Sequence, residues 1–117
     1  MIIDAHTHIF PGKIRKNREK YFADEPAFKK LYQSAKSRLI GAQEMLASMD
    51  DSQVDKAVVF GFPWKDSLLF KQHNYYISEA VNRYPQRFIG LGCFDPFSDG
   101  VVLEARRCLQ EGGLSGI

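Results

Sequence analysis

The chain opens with Ile2-Ile3-Asp4-Ala5-His6-Thr7-His8-Ile9, and Phe10-Pro11-Gly12 follows at once. The first run has the character of a short strand, and Pro followed by Gly stops any regular element. These residues therefore predict a short first β-strand whose carboxyl end lies at the Pro-Gly break.

Two histidines on this strand point to metal chemistry. Side chains on a strand alternate between its faces, so Asp4, His6 and His8 are expected to share one face. Two imidazoles on one face, two residues apart, can converge on a single divalent ion. A His-x-His pair alone often arises by chance, but this pair lies at the end of a first strand, directly before a break. We therefore interpret His6 and His8 as metal ligands, with Asp4 orienting a ligand or filling the layer below.

The rest of the chain alternates between strand-like and helical patterns. The segments are a helix from about Ala42 to Asp51, a strand at Val54–Phe62, a helix with apolar residues from Tyr76 to Tyr84, a strand at Arg87–Phe94, a helix capped by Ser98, and a strand beginning at Leu114. This order is typical of βαβ units and a parallel sheet. The predicted fold class is therefore α/β.

A basic segment separates the first strand from its helix. Between Lys13 and Arg38 there are nine Lys or Arg and only three Asp or Glu. Asp24 is expected to cap a helix that opens at Glu25-Pro26. The apolar residues of that helix recur at helical spacing, at Phe28, Leu31, Tyr32, Ala35 and Leu39. We interpret residues 13–40, approximately, as a basic helical insertion over the rim that carries the histidines.

The composition favours one domain with a small-molecule partner. The chain has 117 residues, 44% of them hydrophobic, and a formal net charge of +2. This balance argues against a nucleic-acid or membrane-surface partner. No leader pattern and no apolar run near the roughly 20 residues of a spanning helix is present, so the expected location is cytoplasmic. Cys93 and Cys108 lie in apolar segments and are expected to be buried free thiols.

Several stretches together resemble the amidohydrolase superfamily, and more closely its amidohydrolase-related branch, which includes decarboxylases of the aminocarboxymuconate-semialdehyde type. The stretches are Ile2–Pro11 as the opening strand, Val54–Val59 as the second strand, Asn74–Gly90 as the next helix and third strand, and Asp95-Pro96 with Gly112–Ile117. Each stretch is weak evidence, but their joint order is specific and covers nearly all of the chain outside the basic segment.

The resemblance implies a (β/α)8 TIM barrel, of which residues 1–117 would form a partial domain of about three βα units. A complete barrel has roughly 250 residues. It also implies a divalent metal ion, Zn²⁺ by preference, that activates water or polarises the substrate for hydrolysis or decarboxylation. His6 and His8 would be two of the ligands, while two later histidines and a catalytic aspartate would lie beyond Ile117.

Three residues directly after strands are candidates for substrate binding: Phe10, Trp64 and Asp95. The alternative for the two aromatic residues is a packing role, and for Asp95 a simple turn. The lysines and arginines of the insertion could attract a substrate carboxylate, or could form a solvated face whose apolar side packs on the barrel or on a partner subunit of a homo-oligomer. His73, the third histidine, is interpreted as a polar surface residue near a helix start.

The end of the chain, at an opening strand after three units, leads us to expect an incomplete and inactive piece of such an enzyme. Two alternatives stay open. One is a barrel phosphoesterase or nuclease of the TatD type, which also begins with His-x-His. The other is a non-catalytic remnant that binds a partner through the basic helix or the open sheet edge.

Overall fold

The computed structural model describes residues 1–117, which form three parallel strands with helices between them. The elements are β1 (Ile3–His8), α1 (Gly12–Lys16), a 3₁₀ turn (Arg18–Tyr21), α2 (Pro26–Tyr32), α3 (Ala42–Asp51), β2 (Lys56–Phe60), α4 (Ser67–Arg83), β3 (Phe88–Gly90) and α5 (Val101–Gln110). None of these helices combines the length and the apolar character that crossing a membrane requires.

The sheet has the order β1-β2-β3, and both pairings are parallel. The chain after α5 extends it, because the Ser115 amide donates to the Gly90 carbonyl at 2.8 Å and the Gly92 amide donates to the Gly116 carbonyl at 2.9 Å. These bonds belong to a parallel bridge between Leu91 and Gly116. The α/β class and the start of a further strand near Leu114 are therefore confirmed.

The two faces of the sheet differ in burial. On the helix side, Ala57, Val59 and Phe88 are almost fully buried and form the main core with residues of α3, α4 and α5. On the other side, Val58, Phe60 and Ile89 are only half-buried. In a closed barrel this second face is the interior, and the active site lies at the carboxyl ends of its strands.

Two predicted helix caps were wrong. The N-cap of α5 is Gly100, whose φ of 76° lies in the left-handed region that glycine adopts at little cost. Ser98 instead donates its hydroxyl to the Lys65 carbonyl at 2.9 Å. The N-cap of α2 is Glu25 rather than Asp24, because Pro26 occupies the first helical position.

Helix α2 is also shorter than its apolar spacing predicted, since it ends at Tyr32. Just beyond it, the Ser34 hydroxyl accepts from the Lys36 amide at 3.2 Å. Such a local side-chain bond competes with the helical pattern of the backbone. Ala35 and Leu39 therefore lie outside the helix, although Leu39 still packs against buried aromatic residues.

An aromatic cluster covers the region where β1 and β2 end. We define it as Phe10, Phe28, Phe62, Trp64 and Phe70, all with 4% exposure or less. Phe28 comes from α2 and lies 4.7 Å from the Trp64 ring and 5.5 Å from the Phe62 ring, measured between centroids. Burial of these rings fastens the basic segment to the sheet.

A buried carboxylate adds a second attachment. Glu25 is 2% exposed, and its two oxygens accept from the backbone amides of Lys65 and Asp66 at 3.0–3.2 Å. Asp66 in turn caps α4 by accepting from the amides of Leu68 and Leu69. The basic segment is thus connected to the turn between β2 and α4 by charge-assisted bonds.

The two cysteines are free thiols, as expected. Cys108 is fully buried and Cys93 is partly buried. Burial raises the pKa of Cys93 to about 11 and that of Cys108 to about 12, so both are thiols at neutral pH.

Replacing Glu25 tests the attachment of the basic segment. In Glu25→Ala, two partly buried amides lose their charged acceptor, so the free energy of unfolding should fall by about 2 kcal/mol. Urea denaturation followed by tryptophan fluorescence measures the loss, since Trp64 lies in the adjoining cluster. Glu19→Ala, on an exposed residue of the same segment, should change it by less than about 0.5 kcal/mol. Equal stability of the two variants would contradict the attachment.

Candidate metal centre

The carboxyl end of β1 carries the two histidines beside the last residue of β2. The pairing of the two strands is irregular between Asp4 and Thr7, and His8 then pairs with Phe60. The Phe60 ring lies 4.8 Å from the His6 ring and 4.5 Å from the His8 ring, with edge contacts to both. Phe60 therefore forms an apolar wall along one side of both imidazoles.

The two imidazoles meet through their Nε2 atoms, which lie 3.3 Å apart. The other nitrogen of His8, Nδ1, lies 2.8 Å from the carbonyl oxygen of Gly61. A carbonyl can only accept, so His8 carries its proton on Nδ1 and presents a free lone pair on Nε2. In the absence of an ion, Nε2–H of His6 is then the donor to that lone pair.

The surroundings of His8 favour the neutral imidazole, which is the form that binds metal. Burial lowers the pKa of His8, the hydrogen bond to Gly61 opposes that shift, and the nearby His6 lowers the pKa further. His6 is exposed to solvent. The pair thus consists of one oriented, partly buried imidazole and one accessible imidazole.

The separation of the two Nε2 atoms is suited to a shared ion. Zn–N bonds of about 2.0–2.1 Å place two ligands of one tetrahedral ion about 3.3 Å apart. The Gly61 carbonyl behind His8 is the kind of outer partner that orients metal-ligating histidines. No cluster of three or more His, Cys, Asp or Glu forms in the chain, so these 117 residues bring no third such ligand to the pair.

Asp4 does not join the imidazoles in the way that strand alternation predicted. The register shift pairs Asp4 with Ala57 and Thr7 with Val59. Ala57 and Val59 lie on the same face of β2, so alternation along β1 is broken between the two partners. The Asp4 carboxylate is exposed and accepts from the backbone amide of His6 at 3.2 Å. Asp4 thus contacts the main chain of His6 rather than its ring.

The three substrate-binding candidates lie in different surroundings. Phe10 is 1% exposed, and its ring centroid lies 6.4 Å from that of His8. Trp64 is fully buried in the aromatic cluster, and its Nε1–H donates to Nδ1 of His73 at 3.0 Å. Asp95 closes its own turn by accepting from the Phe97 amide at 2.9 Å. Of the three, Phe10 is the one with a ring contact to the histidine pair.

The interpretation of His73 as a surface residue was wrong. Its side chain is fully buried, and Nε2–H donates to the Ile9 carbonyl at 2.7 Å. Burial lowers the pKa of His73 to about 4, more than the hydrogen bond to Ile9 raises it. His73 is therefore a neutral, doubly hydrogen-bonded imidazole directly behind the end of β1.

The position of the α4 start explains this error. The apolar pattern was recognised only from Tyr76, whereas Asp66 caps a helix that begins at Ser67. With that start, Phe70, His73 and Ile77 follow one another at helical spacing on the buried face. The capping aspartate before Ser67 was the available signal for an inward-facing His73.

Comparison with known proteins identifies the family of the chain. The amidohydrolase family model matches residues 3–117, nearly the whole chain. The chain belongs to the amidohydrolase family. The matched part of this amidohydrolase chain contains both histidines and all three strands.

Relatives of the amidohydrolase chain include decarboxylases and a hydratase. A 2-amino-3-carboxymuconate-6-semialdehyde decarboxylase from Dictyostelium discoideum is 31% identical over 140 residues, covering 98% of this chain and 39% of that protein. A 5-carboxyvanillate decarboxylase from Novosphingobium aromaticivorans, solved with manganese and 4-hydroxy-3-methoxy-5-nitrobenzoic acid, superposes with a TM-score of 0.80 at 23% identity over 100% of this chain and 40% of that one. A 4-oxalomesaconate hydratase from Rhodopseudomonas palustris gives 0.66 at 21% identity, again over 100% and 40%.

The chain therefore spans about 40% of the length of the relatives it matches. Its three parallel βα units have the architecture of part of a (β/α)8 barrel, as predicted. The histidine pair lies at the carboxyl ends of the strands, where active sites of this fold are built.

The buried His73 predicts a particular pH dependence of stability. Its pKa is about 4 in the folded chain and about 6.5 in the unfolded chain, so the unfolded state takes up the proton first as the pH falls. The contribution is fully present above pH 6.5 and is lost progressively towards pH 4. At pH 5 the loss should be about 2 kcal/mol.

Urea denaturation at pH 7.5 and pH 5 measures this loss, with His73→Gln as the matched variant. The variant has no group that titrates at position 73, so only the smaller contributions of other groups with lowered pKa values, such as His8 and Glu104, should remain. Identical pH dependence in the two proteins would contradict the assignment to His73.

Proposed function

We propose that His6 and His8 are the first two ligands of a divalent-metal site in a barrel enzyme that hydrolyses or decarboxylates a small carboxylated substrate. The observation that carries the proposal is the pair of Nε2 atoms 3.3 Å apart, with Nδ1 of His8 held by Gly61. Membership of the amidohydrolase family supports the same reading. The further ligands would come from outside these 117 residues.

The ion that we propose is Zn²⁺, since zinc binds imidazole nitrogens and its catalytic sites keep one position open beside three protein ligands, of which His6 and His8 would be two. The 5-carboxyvanillate decarboxylase structure contains manganese, which makes Mn²⁺ the competing choice. When bound, either ion would supply Lewis-acid chemistry by polarising an oxygen of the substrate or of water.

The chain's own residues would prepare this chemistry. Gly61 holds the His8 imidazole with Nε2 free, so no proton has to leave that nitrogen when the ligand is used. Phe60 and Phe10 are apolar neighbours of the imidazoles and would limit access of water from their side. A water-poor wall strengthens the electrostatic interactions within a site.

The proposed substrate class follows from the relatives and from the basic segment. The Dictyostelium and Novosphingobium proteins are both named as decarboxylases of carboxylated compounds. In this chain, seven lysines and arginines of the proposed insertion, residues 13–40, are exposed: Lys13, Lys16, Lys20, Lys29, Lys30, Lys36 and Arg38. None of the seven forms an ion pair, whereas Arg15 is paired with Glu44. They form a positive field that would draw in a carboxylate.

The packing of α2 limits what the insertion can do. Phe28 is fully buried in the aromatic cluster, so at this residue the apolar side of α2 packs on the sheet. Leu31, at 57% exposure, is the apolar residue of α2 that stays available to a substrate or to a partner subunit. We therefore propose an electrostatic role for the insertion and a packing role for Phe28.

Metal titration tests the proposed function. Zn²⁺ and Mn²⁺ titrated into the metal-free chain in a calorimeter should bind at one ion per chain, with zinc the tighter. His6→Asn and His8→Asn should each weaken binding by tenfold or more, because each removes one of the two nitrogen ligands.

Glu79→Gln is the control, because it removes an exposed carboxylate of α4 and should leave the titration unchanged. Absence of binding, or binding that both histidine variants retain, would reject the metal site. Either result would favour the alternative that the chain is a non-catalytic binding module.

A further inference from the structure

We infer that His73 is a positioning residue for the metal ligand His8, an inference that rests on the proposed metal site. Its imidazole lies behind the carboxyl ends of β1 and β2 and contacts both chain segments that determine where His8 points. One segment is Ile9, the residue after His8. The other is Gly61, whose carbonyl accepts the hydrogen bond from Nδ1–H of His8.

The first contact holds the main chain next to His8. Nε2–H of His73 donates to the carbonyl of Ile9 at 2.7 Å, and both residues have no exposed surface. The Ile9 carbonyl lies one residue beyond the ligand, where the strand has already ended. The N–H of the same peptide, at Phe10, donates to the Ile40 carbonyl at 2.8 Å, and the buried imidazole supplies the hydrogen bond to the Ile9 carbonyl on the other side of the peptide.

The second contact holds the acceptor of His8. A Cβ atom built on Gly61 would lie 2.8 Å from Cγ of His73 and 3.0 Å from its Cδ2, closer than side chains pack. The His73 ring is therefore pressed against the backbone of Gly61, whose carbonyl accepts from Nδ1 of His8 at 2.8 Å. Movement of the ring would release both Gly61 and Ile9.

Trp64 determines which nitrogen of His73 carries the proton, through a hydrogen bond to Nδ1 of that imidazole. The indole Nε1–H can only donate, so Nδ1 of His73 must accept, and the proton of the neutral ring then lies on Nε2. That is the proton which the Ile9 carbonyl requires. The series from Trp64 through His73 to Ile9 is buried throughout and has one consistent set of donors and acceptors.

The test compares variants that keep or remove these bonds. His73→Gln keeps one donor and one acceptor on a terminal amide, whereas His73→Leu keeps only the bulk. Trp64→Phe removes the indole donor and retains the ring packing, and it serves if His73→Leu does not fold. Phe70→Leu disturbs the same cluster through a residue that contacts Phe94, so it controls for lost stability.

Two readouts separate positioning from simple stabilisation. The first is the tautomer of His8 in the metal-free chain, read from its imidazole ¹⁵N shifts at pH 8 and assigned with His8→Asn. The second is the Zn²⁺ affinity of the folded variants. We expect the Nδ1–H form of His8 in the unaltered chain, in His73→Gln and in Phe70→Leu, and a mixture of tautomers in His73→Leu and Trp64→Phe.

Zn²⁺ affinity should fall about tenfold in His73→Leu, as for other outer partners of metal ligands, and should recover in His73→Gln. An unchanged His8 tautomer and unchanged affinity in both His73→Leu and Trp64→Phe would overturn the inference. If the unaltered chain binds no ion, the proposed function fails, and the tautomer readout alone decides the role of His73.

Discussion

The hydrogen bond from Nδ1–H of His8 to the Gly61 carbonyl is the contact on which the site depends. It exists because β1 and β2 pair in parallel with His8 beside Phe60, so that the residue directly after β2 reaches the imidazole. The same bond leaves Nε2 of His8 free and turned towards His6. The parallel pairing of β1 and β2 therefore determines both the tautomer of His8 and the position of its Nε2 relative to His6.

The aromatic cluster and the basic segment form the support behind this contact. Phe28 and Glu25 fasten the segment to the turn after β2, and Trp64 in that turn hydrogen-bonds His73. An oriented ligand pair needs such a rigid surround, because small displacements of a metal ligand weaken binding. The segment that supplies most of the exposed positive charge is thus also part of the packing around the two proposed ligands.

Local sequence features predicted the fold and the closeness of the two imidazoles, whose role as metal ligands stays a prediction, while long-range polar contacts escaped prediction. The break at Pro11-Gly12 and the alternation of apolar periods depend on neighbours in the chain, and the resulting α/β order is confirmed. The caps at Asp24 and Ser98 failed because Glu25 and Ser98 find partners at Lys65, more than 30 residues away. The burial of His73 follows locally from the Asp66 cap, which starts α4 at Ser67, but its hydrogen-bond partner Ile9 is 64 residues distant. No periodic pattern encodes a buried donor and its distant acceptor.

The most direct measurement of the central claim is X-ray absorption at the zinc edge on the chain loaded with one equivalent of Zn²⁺. Two imidazoles that share one ion predict a fine structure with two histidine nitrogens at about 2.0–2.1 Å, outer-shell scattering from two imidazole rings, and solvent oxygens in the remaining positions. The spectrum of the His8→Asn variant should show one histidine nitrogen fewer than that of the unaltered chain. A spectrum with one histidine or none in the unaltered chain would contradict the account.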